Sequence, residues 1–384
     1  PGFPADPFLV ALTGDAGVWR SPDDGASWVA TTLPGEGRAT ALSYSPEFDL
    51  DDRLWLGMST GAVFRSSDRG ETWSAALPEV EGEPLDQAIH DLVALDGDRM
   101  LAISADFAVL CSDDAGDNWS LCDQGIPWPA AQHSRFWGHY RRLSRPAGGS
   151  SPVVLAAWEG LVLGKEAGEQ WSEACFLTPD YVRSVAFSPG YPDDPTLWLG
   201  TYGGGVHRSQ DGGETWTVLA ADKEHQFTEA IVPSPEYPAD PTLFLVTARR
   251  VLLTADGGDS FRQLDATGIA LAHDVVLSPG FADDRIAFTV GTTEDEGQWV
   301  IARSDDGGDS WAEIWRGEPP PAPQIVSLLA PPEFADGGPL FGIQQEPAAV
   351  VRSGDGGGSW EEVLVLEEAG ARLLAADGGL LAVT

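Results

Sequence analysis

The chain has 384 residues, with 60 acidic against 22 basic side chains, a formal net charge of −38 and six histidines. So negative a surface repels nucleic-acid phosphates and anionic membranes, which excludes both as partners, and no run of 18 or more apolar residues offers a membrane-inserting span. Three cysteines do not make a disulfide framework, and neither a zinc spacing nor a calcium-loop spacing occurs, so no metal or cofactor is expected.

The chain opens on Pro1-Gly-Phe-Pro-Ala-Asp-Pro, which matches the run from Pro189, so it enters mid-repeat and without Met, as a processed or excised segment does. Phe8-Leu9-Val10-Ala11-Leu12 then reads as a second strand lacking its inner partner. Val18-Trp19-Arg20 and Trp28-Val29-Ala30 flank the phrase SPDDGASW, which starts at Ser21. The phrase returns as SSDRGETW at Ser66, SDDAGDNW at Ser112, SQDGGETW at Ser209, SDDGGDSW at Ser304 and SGDGGGSW at Ser353. Worn copies are GKEAGEQW at Gly164 and TADGGDSF at Thr254, and successive starts lie 45, 46, 52, 45, 45, 50 and 49 residues apart. The Asp carboxylate can accept from the backbone of its own loop, Gly supplies φ > 0, and Trp begins the next strand, so each phrase predicts a stapled β-hairpin.

A second landmark precedes the phrase by about twenty residues: Ser45-Pro46-Glu47-Phe48, Ser188-Pro189-Gly190-Tyr191, Ser234-Pro235-Glu236-Tyr237, Ser278-Pro279-Gly280-Phe281, and a weak Pro331-Pro332-Glu333-Phe334. Apolar runs on both sides of it complete a four-stranded unit of about 40–50 residues, the pattern of a β-propeller blade. The units start near 1, 38, 88, 138, 181, 227, 271 and 323 of one domain spanning 1–384. The expected fold is a single all-β propeller of four-stranded antiparallel blades, eight of them with seven as the alternative, closed by pairing of the N- and C-terminal strands. In that scheme Ala371–Ala375 supplies the missing partner of Phe8–Leu12, and Leu380–Thr384 is surplus. Asp49, Asp51 and Asp52 read as a solvated turn, and Thr292–Trp299 as a solvated acidic hairpin. Cys111 and Cys122 flank the third Asp turn on neighbouring strands, where a cross-hairpin bridge fits, leaving Cys175 over and buried.

The Asp turns and Ser-Pro turns belong on one face; the opposite face carries the loops that a rigid scaffold leaves free to vary. Five positions back from the Ser-Pro landmark stand Thr40, Arg183, Glu229, His273 and, in the weak copy, Val326; the nearest equivalents elsewhere are His90/Asp91, Arg141/Arg142 and Arg372. These describe either a hydrated rim with ion pairs such as Arg183–Glu229, or an anion- or sugar-binding site. One stretch breaks the pattern: Gly125–Pro129 followed by Arg135-Phe136-Trp137-Gly138-His139-Tyr140-Arg141-Arg142 and Arg145. Arginine with aromatic residues is the composition of interface hot spots and sugar platforms. The candidate ligand residues are therefore Arg135, Trp137, His139, Arg141, Arg142, Arg183, Glu229, His273 and Arg372.

The repeated phrase resembles the Asp-box, or bacterial neuraminidase repeat, along nearly the whole chain. Its family includes sialidases, xyloglucan-cleaving glycosidases, sortilin-like receptors and a photosystem II assembly factor. The resemblance implies that the box is a peripheral structural hairpin, making Asp23, Asp68, Asp114, Asp211, Asp256, Asp306 and Asp355 scaffold. Fold resemblance does not transfer an activity. The Phe/Tyr-Arg-Ile-Pro motif of the sialidases is absent; the nearest strings, Phe64-Arg65-Ser66 and Phe261-Arg262-Gln263, belong to box hairpins. Tyr140, Tyr181 and Tyr202 have no Glu at fixed spacing, and one ring lacks the second domain that the xyloglucan enzymes use. The reading that results is an extracytoplasmic (secreted, periplasmic or cell-surface), non-catalytic propeller that binds a partner protein or glycan through the face opposite the boxes. The alternatives are a glycoside hydrolase using Glu229, Asp91 and His273, and an assembly factor or subunit of a larger extracytoplasmic complex.

Overall fold

The computed structural model describes residues 8–383 apart from 14–16, 24, 77–78, 81–82, 96–97, 106–108, 123–141, 146–152, 158–159, 166–169, 177–180, 221–226, 248–249, 265–267, 295–296, 320–323, 346, 366–371 and 377–378. Among the described residues the secondary structure is almost entirely β, in seven four-stranded antiparallel sheets, one five-stranded sheet and a small hairpin at Glu79–Val80 and Glu83–Pro84. This is the composition of a β-propeller.

Numbered in chain order, sheet 1 holds Phe8–Thr13, Gly17–Ser21 and Val29–Thr31 together with Arg372–Ala376 and Gly379–Val383. Sheets 2 to 8 each take four successive strands, and their first strands are Ala39–Tyr44, Ile89–Ala94, Arg142–Ser144, Tyr181–Phe187, Thr228–Pro233, Leu271–Leu277 and Gln324–Leu329. Antiparallel order puts the Ser-Pro turns and the Asp turns at one end of each sheet. Backbone bonds join the two turns directly, from Gly212 N–H to Pro195 O and from Gly257 N–H to Pro241 O, both 3.0 Å. The starts of the first strands lie at the other end, the loop end.

Second strands are buried along their length in sheets 2, 3 and 6 (Leu54–Met58, Met100–Ser104 and Leu243–Thr247), and in sheets 5, 7 and 8 in all but their last residue. A strand covered on both faces selects a continuous apolar run rather than an alternating one. Fourth strands such as Ser120–Leu121 and Arg262–Gln263 are exposed. Neighbouring sheets share cores: Phe8, Val10 and Leu12 pack with Leu54, Leu56 and Phe64, and Leu9 and Ala11 pack with Phe341, Ile343 and Val350 on the other side of sheet 1. Glycine allows the closest approach. A Cβ built on Gly57 would lie 2.5 Å from Ile89 Cγ2 of the next sheet, and one on Gly200 would lie 2.7 Å from Thr228 Cγ2.

Three expectations need correction. The strand beside Phe8–Thr13 is Gly379–Val383, paired in parallel from Phe8↔Gly379 to Ala11↔Ala382, and Arg372–Ala376 lies one strand further out. The terminal run thought surplus is therefore the one at the seam, because it folds back as a hairpin and offers its own outer edge. The sheet at the termini accordingly has five strands rather than four. Finally, the turn at Asp49 to Asp52 is bonded rather than merely solvated: Ser45 Oγ donates to Asp51 Oδ2 at 2.6 Å, and Arg69 pairs with Asp52 at 2.5 Å.

The Cys111–Cys122 disulfide joins the third strand of sheet 3 to the residue that follows its fourth strand, with Cα atoms 5.7 Å apart. The Cys122 carbonyl accepts the Trp171 indole N–H at 2.6 Å, which ties this hairpin to sheet 4. The side chain of Cys175 lies outside the described residues.

Candidate functional site

The Asp hairpins use their own chemistry internally. In seven copies the first Ser or Thr hydroxyl donates to Asp Oδ1 at 2.6–2.9 Å and accepts the N–H of the fifth-position Gly at 2.7–2.9 Å. The seventh residue gives its backbone N–H to the same Oδ1 at 2.8–3.0 Å. Its side chain gives a further bond to Oδ2 at 2.5–2.7 Å. The fifth-position Gly has positive φ in all seven, from 73° at Gly25 to 108° at Gly258. The Asp carboxyls are held down: Asp306 to about 2, first by the Ser310 hydroxyl, then by the Ser310 N–H and the Ser304 hydroxyl. Each carboxylate thus accepts at least three hydrogen bonds from its own loop, two at Oδ1 and one at Oδ2, and these stabilise its ionised form. Residues 166–169 of the worn fourth copy lie outside the described residues.

At the loop end the structure shows what makes the sequence landmark special. The antiparallel register of six first strands slips by one residue near their start, between Ala39/Ala41, Ile89/Asp91, Val182/Ser184, Thr228/Ala230, Ala272/Asp274 and Ile325/Ser327. The residue skipped in each is Thr40, His90, Arg183, Glu229, His273 or Val326. A bulge inserts one unpaired residue and re-aims its side chain, which frees these side chains from the alternation of the strand. The spacing from Ser-Pro located five of them; the bulge itself has no signature in the one-letter code.

The bulges stitch one sheet to the next. Thr40 Oγ1 donates to Ile89 O at 2.6 Å, and Asp91 Oδ2 accepts the Leu143 N–H at 2.9 Å. Arg183 reaches Glu229 Oε2 with Nε at 3.1 Å and Nη2 at 2.5 Å. Within sheet 7, His273 lies against Trp299 with ring centroids 4.7 Å apart and planes tilted by 34°. Burial lowers the His273 pKa from its ordinary value, while the nearby Glu229 charge opposes that shift. Asp274 Oδ2 accepts from Ser327 Oγ at 3.2 Å, and its Oδ1 accepts the Val275 N–H at 2.9 Å.

Sequence reasoning missed three aromatic members. Tyr202 and Phe227 meet edge to face at 4.5 Å and are joined by a backbone bridge between sheets 5 and 6. Trp299 gives its backbone N–H to Gln324 Oε1 at 3.3 Å, from sheet 7 to sheet 8. The available signal was position: Tyr202 immediately precedes Gly203-Gly204-Gly205, and Trp299 closes the Thr292 outgrowth. Among the predicted residues, the structure brings Arg183, Glu229 and His273 together. Arg135, Trp137, His139 and Arg141 lie outside the described residues, while Arg142 and Arg372 are described as strand backbone paired with Ala156 and Val383. Arg145 is separated from Arg142 by the length of a strand. It stacks over Tyr44 at 5.1 Å and donates to Tyr44 O at 3.4 Å, at the Asp-turn end.

No family model matches the chain. Over 212 residues it is 26% identical to a photosystem II assembly lipoprotein, Ycf48, of Synechococcus sp. (strain CC9902), covering 53% of this chain and 57% of that protein. The chain thus spans little more than half the length of this curated relative. Among solved structures, a computationally designed protein, Ika8, superposes with a TM-score of 0.53 at 14% identity, covering 88% of this chain and 94% of the other. That similarity is one of fold. A YCF48 structure bound to D1 peptide gives a TM-score of 0.48 at 19% identity, covering 78% of this chain and 95% of that one.

Proposed function

We propose that this chain is an eight-bladed Asp-box propeller, closed at sheet 1, that binds a segment of a partner protein through its loop end without catalysing a reaction. It acts in assembling a larger complex outside the cytoplasm. The observation that carries the reading is the row of bulge-borne side chains Arg183, Glu229 and His273, presented on three consecutive sheets beside Tyr202 and Trp299. Irregular strand starts on a rigid sheet hold such groups in place, which reduces the ordering cost of binding. Arg135, Trp137, His139, Arg141, Arg142 and Arg372 are proposed to extend the same face.

The carboxylates of the row favour binding over hydrolysis. Glycoside hydrolysis needs one protonated and one free carboxyl facing each other across the scissile bond. Asp91 and Asp274 are bonded to backbone and hydroxyl groups, and Glu229 is paired with arginine. The 26% identity to an assembly lipoprotein supports the assembly reading over a glycan partner. The disulfide supports an oxidising compartment.

The test overlays the purified chain on arrays of peptides and glycans, with release of reducing sugar from xyloglucan and sialosides measured in parallel. Retention of peptides without turnover is the expected result. Sugar release, or silence on every peptide, overturns the proposal.

A further inference from the structure

We infer that sheet 1 has two alternative closures: Phe8–Thr13 exchanges with Gly379–Val383 for the place directly beside Arg372–Ala376, and the exchange frees Gly379–Val383 from the ring. The inference goes beyond partner binding and rests only on closure of the ring at sheet 1.

The supply of strands is unequal. Among the described residues, sheets 2 to 8 each contribute one first and one second strand. Sheet 1 contributes one first strand, Arg372–Ala376, and two strands with the character of a second. Phe8–Thr13 is one of these, since it leads into Gly17–Ser21 and its residues from Phe8 to Leu12 are at most 5% exposed. Gly379–Val383 is the other. It follows a first strand and pairs with it antiparallel from Arg372↔Val383 to Ala376↔Gly379, as second strands do in sheets 2 to 8. Two second strands thus compete for one first strand.

Register and direction make the two interchangeable. Leu9, Val10 and Ala11 stand beside Leu380, Leu381 and Ala382, which in turn stand opposite Ala375, Leu374 and Leu373. Exchange therefore sets Leu9 opposite Ala375, Val10 opposite Leu374 and Ala11 opposite Leu373, one apolar residue for another. Phe8–Thr13 runs parallel to Gly379–Val383 and so antiparallel to Arg372–Ala376, the sense in which first and second strands pair elsewhere. Arg372–Ala376 also touches Gln324–Leu329 of sheet 8, as first strands of neighbouring sheets touch at Thr228–Pro233 and Leu271–Leu277. It can keep that neighbour through the exchange.

Energy orders the two forms. The observed closure has two ladders at the seam, one of them the only parallel ladder among the described residues. Parallel pairing is the weaker per residue. The exchanged closure has one ladder, antiparallel, so it is the minor state of the free chain.

The experiment follows disulfide formation in the full chain carrying Leu9→Cys/Ala375→Cys and Cys175→Ser, in a glutathione redox buffer. Positions 9 and 375 are now two strands apart, about 10 Å, beyond the reach of a disulfide. Exchange brings them directly opposite, about 5 Å apart. The control is Leu328→Cys/Val351→Cys, also two strands apart, in sheet 8, where no spare strand exists. The bridge between 9 and 375 should form at least about tenfold faster than the control, because a local exchange needs less free energy than general unfolding. Leu381→Pro, which spoils the ladder of Gly379–Val383, should speed it further. Equal rates for the two pairs, or no bridge between 9 and 375, overturn the inference. Melting gives a second reading without added cysteines. Leu381→Pro should lower the melting temperature far less than Leu374→Pro, since the first leaves Phe8–Thr13 able to close the sheet and the second spoils both closures. Equal falls overturn the exchange while leaving the ring closed at sheet 1. No fall with Leu374→Pro removes closure at sheet 1 as well.

Discussion

Arg183 and Glu229 pair across two sheets, guanidinium Nε and Nη2 both on Glu229 Oε2, and each is the extra residue of its own β-bulge. Two irregularities 46 residues apart thus meet in one contact. The pair serves position more than stability, since its side chains are 45% and 34% exposed and water screens them.

That distinction can be measured. Glu229→Ala is expected to change the unfolding free energy by no more than about 1 kcal/mol. Deleting Glu229 makes Thr228↔Thr247 and Ala230↔Val246 successive pairs of a regular ladder, removes the local twist of the bulge and leaves one residue fewer between the Tyr202↔Phe227 bridge and Ala230. Urea melts of the two variants should differ clearly, with the deletion far the less stable. Equal midpoints would show that the bulge is dispensable.

Acid sensitivity follows from the Asp hairpins. Asp211 and Asp306 titrate near 2 in the folded chain, against about 3.9 unfolded. A depressed folded pKa contributes stability that is full above the unfolded value and is lost as pH falls from about 4 towards 2. Melting temperature should therefore fall through this window, and Asp306→Asn should flatten part of that fall while lowering the neutral-pH melting temperature. An unchanged slope between pH 4 and 2 contradicts the assignment.

The disulfide closes a short loop, with a sequence separation of 11. Removing it as Cys111→Ser/Cys122→Ser should cost about 2–3 kcal/mol. Because Trp171 docks on the Cys122 carbonyl, the loss should also expose Trp171, seen as a red-shifted emission in the double variant relative to the parent. Retained stability and unshifted emission would show that the bridge holds nothing in place.

Glycine at the sheet boundary gives a sharp contrast. Gly200→Ala would bring a methyl group against Ser184 Oγ, Thr228 Cγ2 and Thr228 O. Overpacking of this kind costs about 1–3 kcal/mol. Gly354 has nothing within 4 Å of an added Cβ, so Gly354→Ala should be close to neutral. Comparable urea midpoints for the two variants would argue against close approach of sheets 5 and 6.

By itself the sequence determined the repeating unit and the chemistry of its turns. Ser, Asp, Gly and Ser or Thr at fixed spacing act through bonds no more than four residues apart, so a local pattern carries the whole instruction. The Ser-Pro spacing likewise located the positions that became bulges, but not the bulges. A bulge is a mismatch between two strands, visible only when both are paired. Only the tertiary structure decided that Arg183 meets Glu229, that Tyr202 meets Phe227, and that Arg145 leaves the arginine-rich segment for Tyr44. It also decided that Gly379–Val383 lies against Phe8–Thr13, a pairing of the two ends of the chain. Contacts between sheets join residues 25 positions apart at Trp299–Gln324 and 46 apart at Arg183–Glu229, and no periodicity within one strand encodes which side chain stands across the boundary.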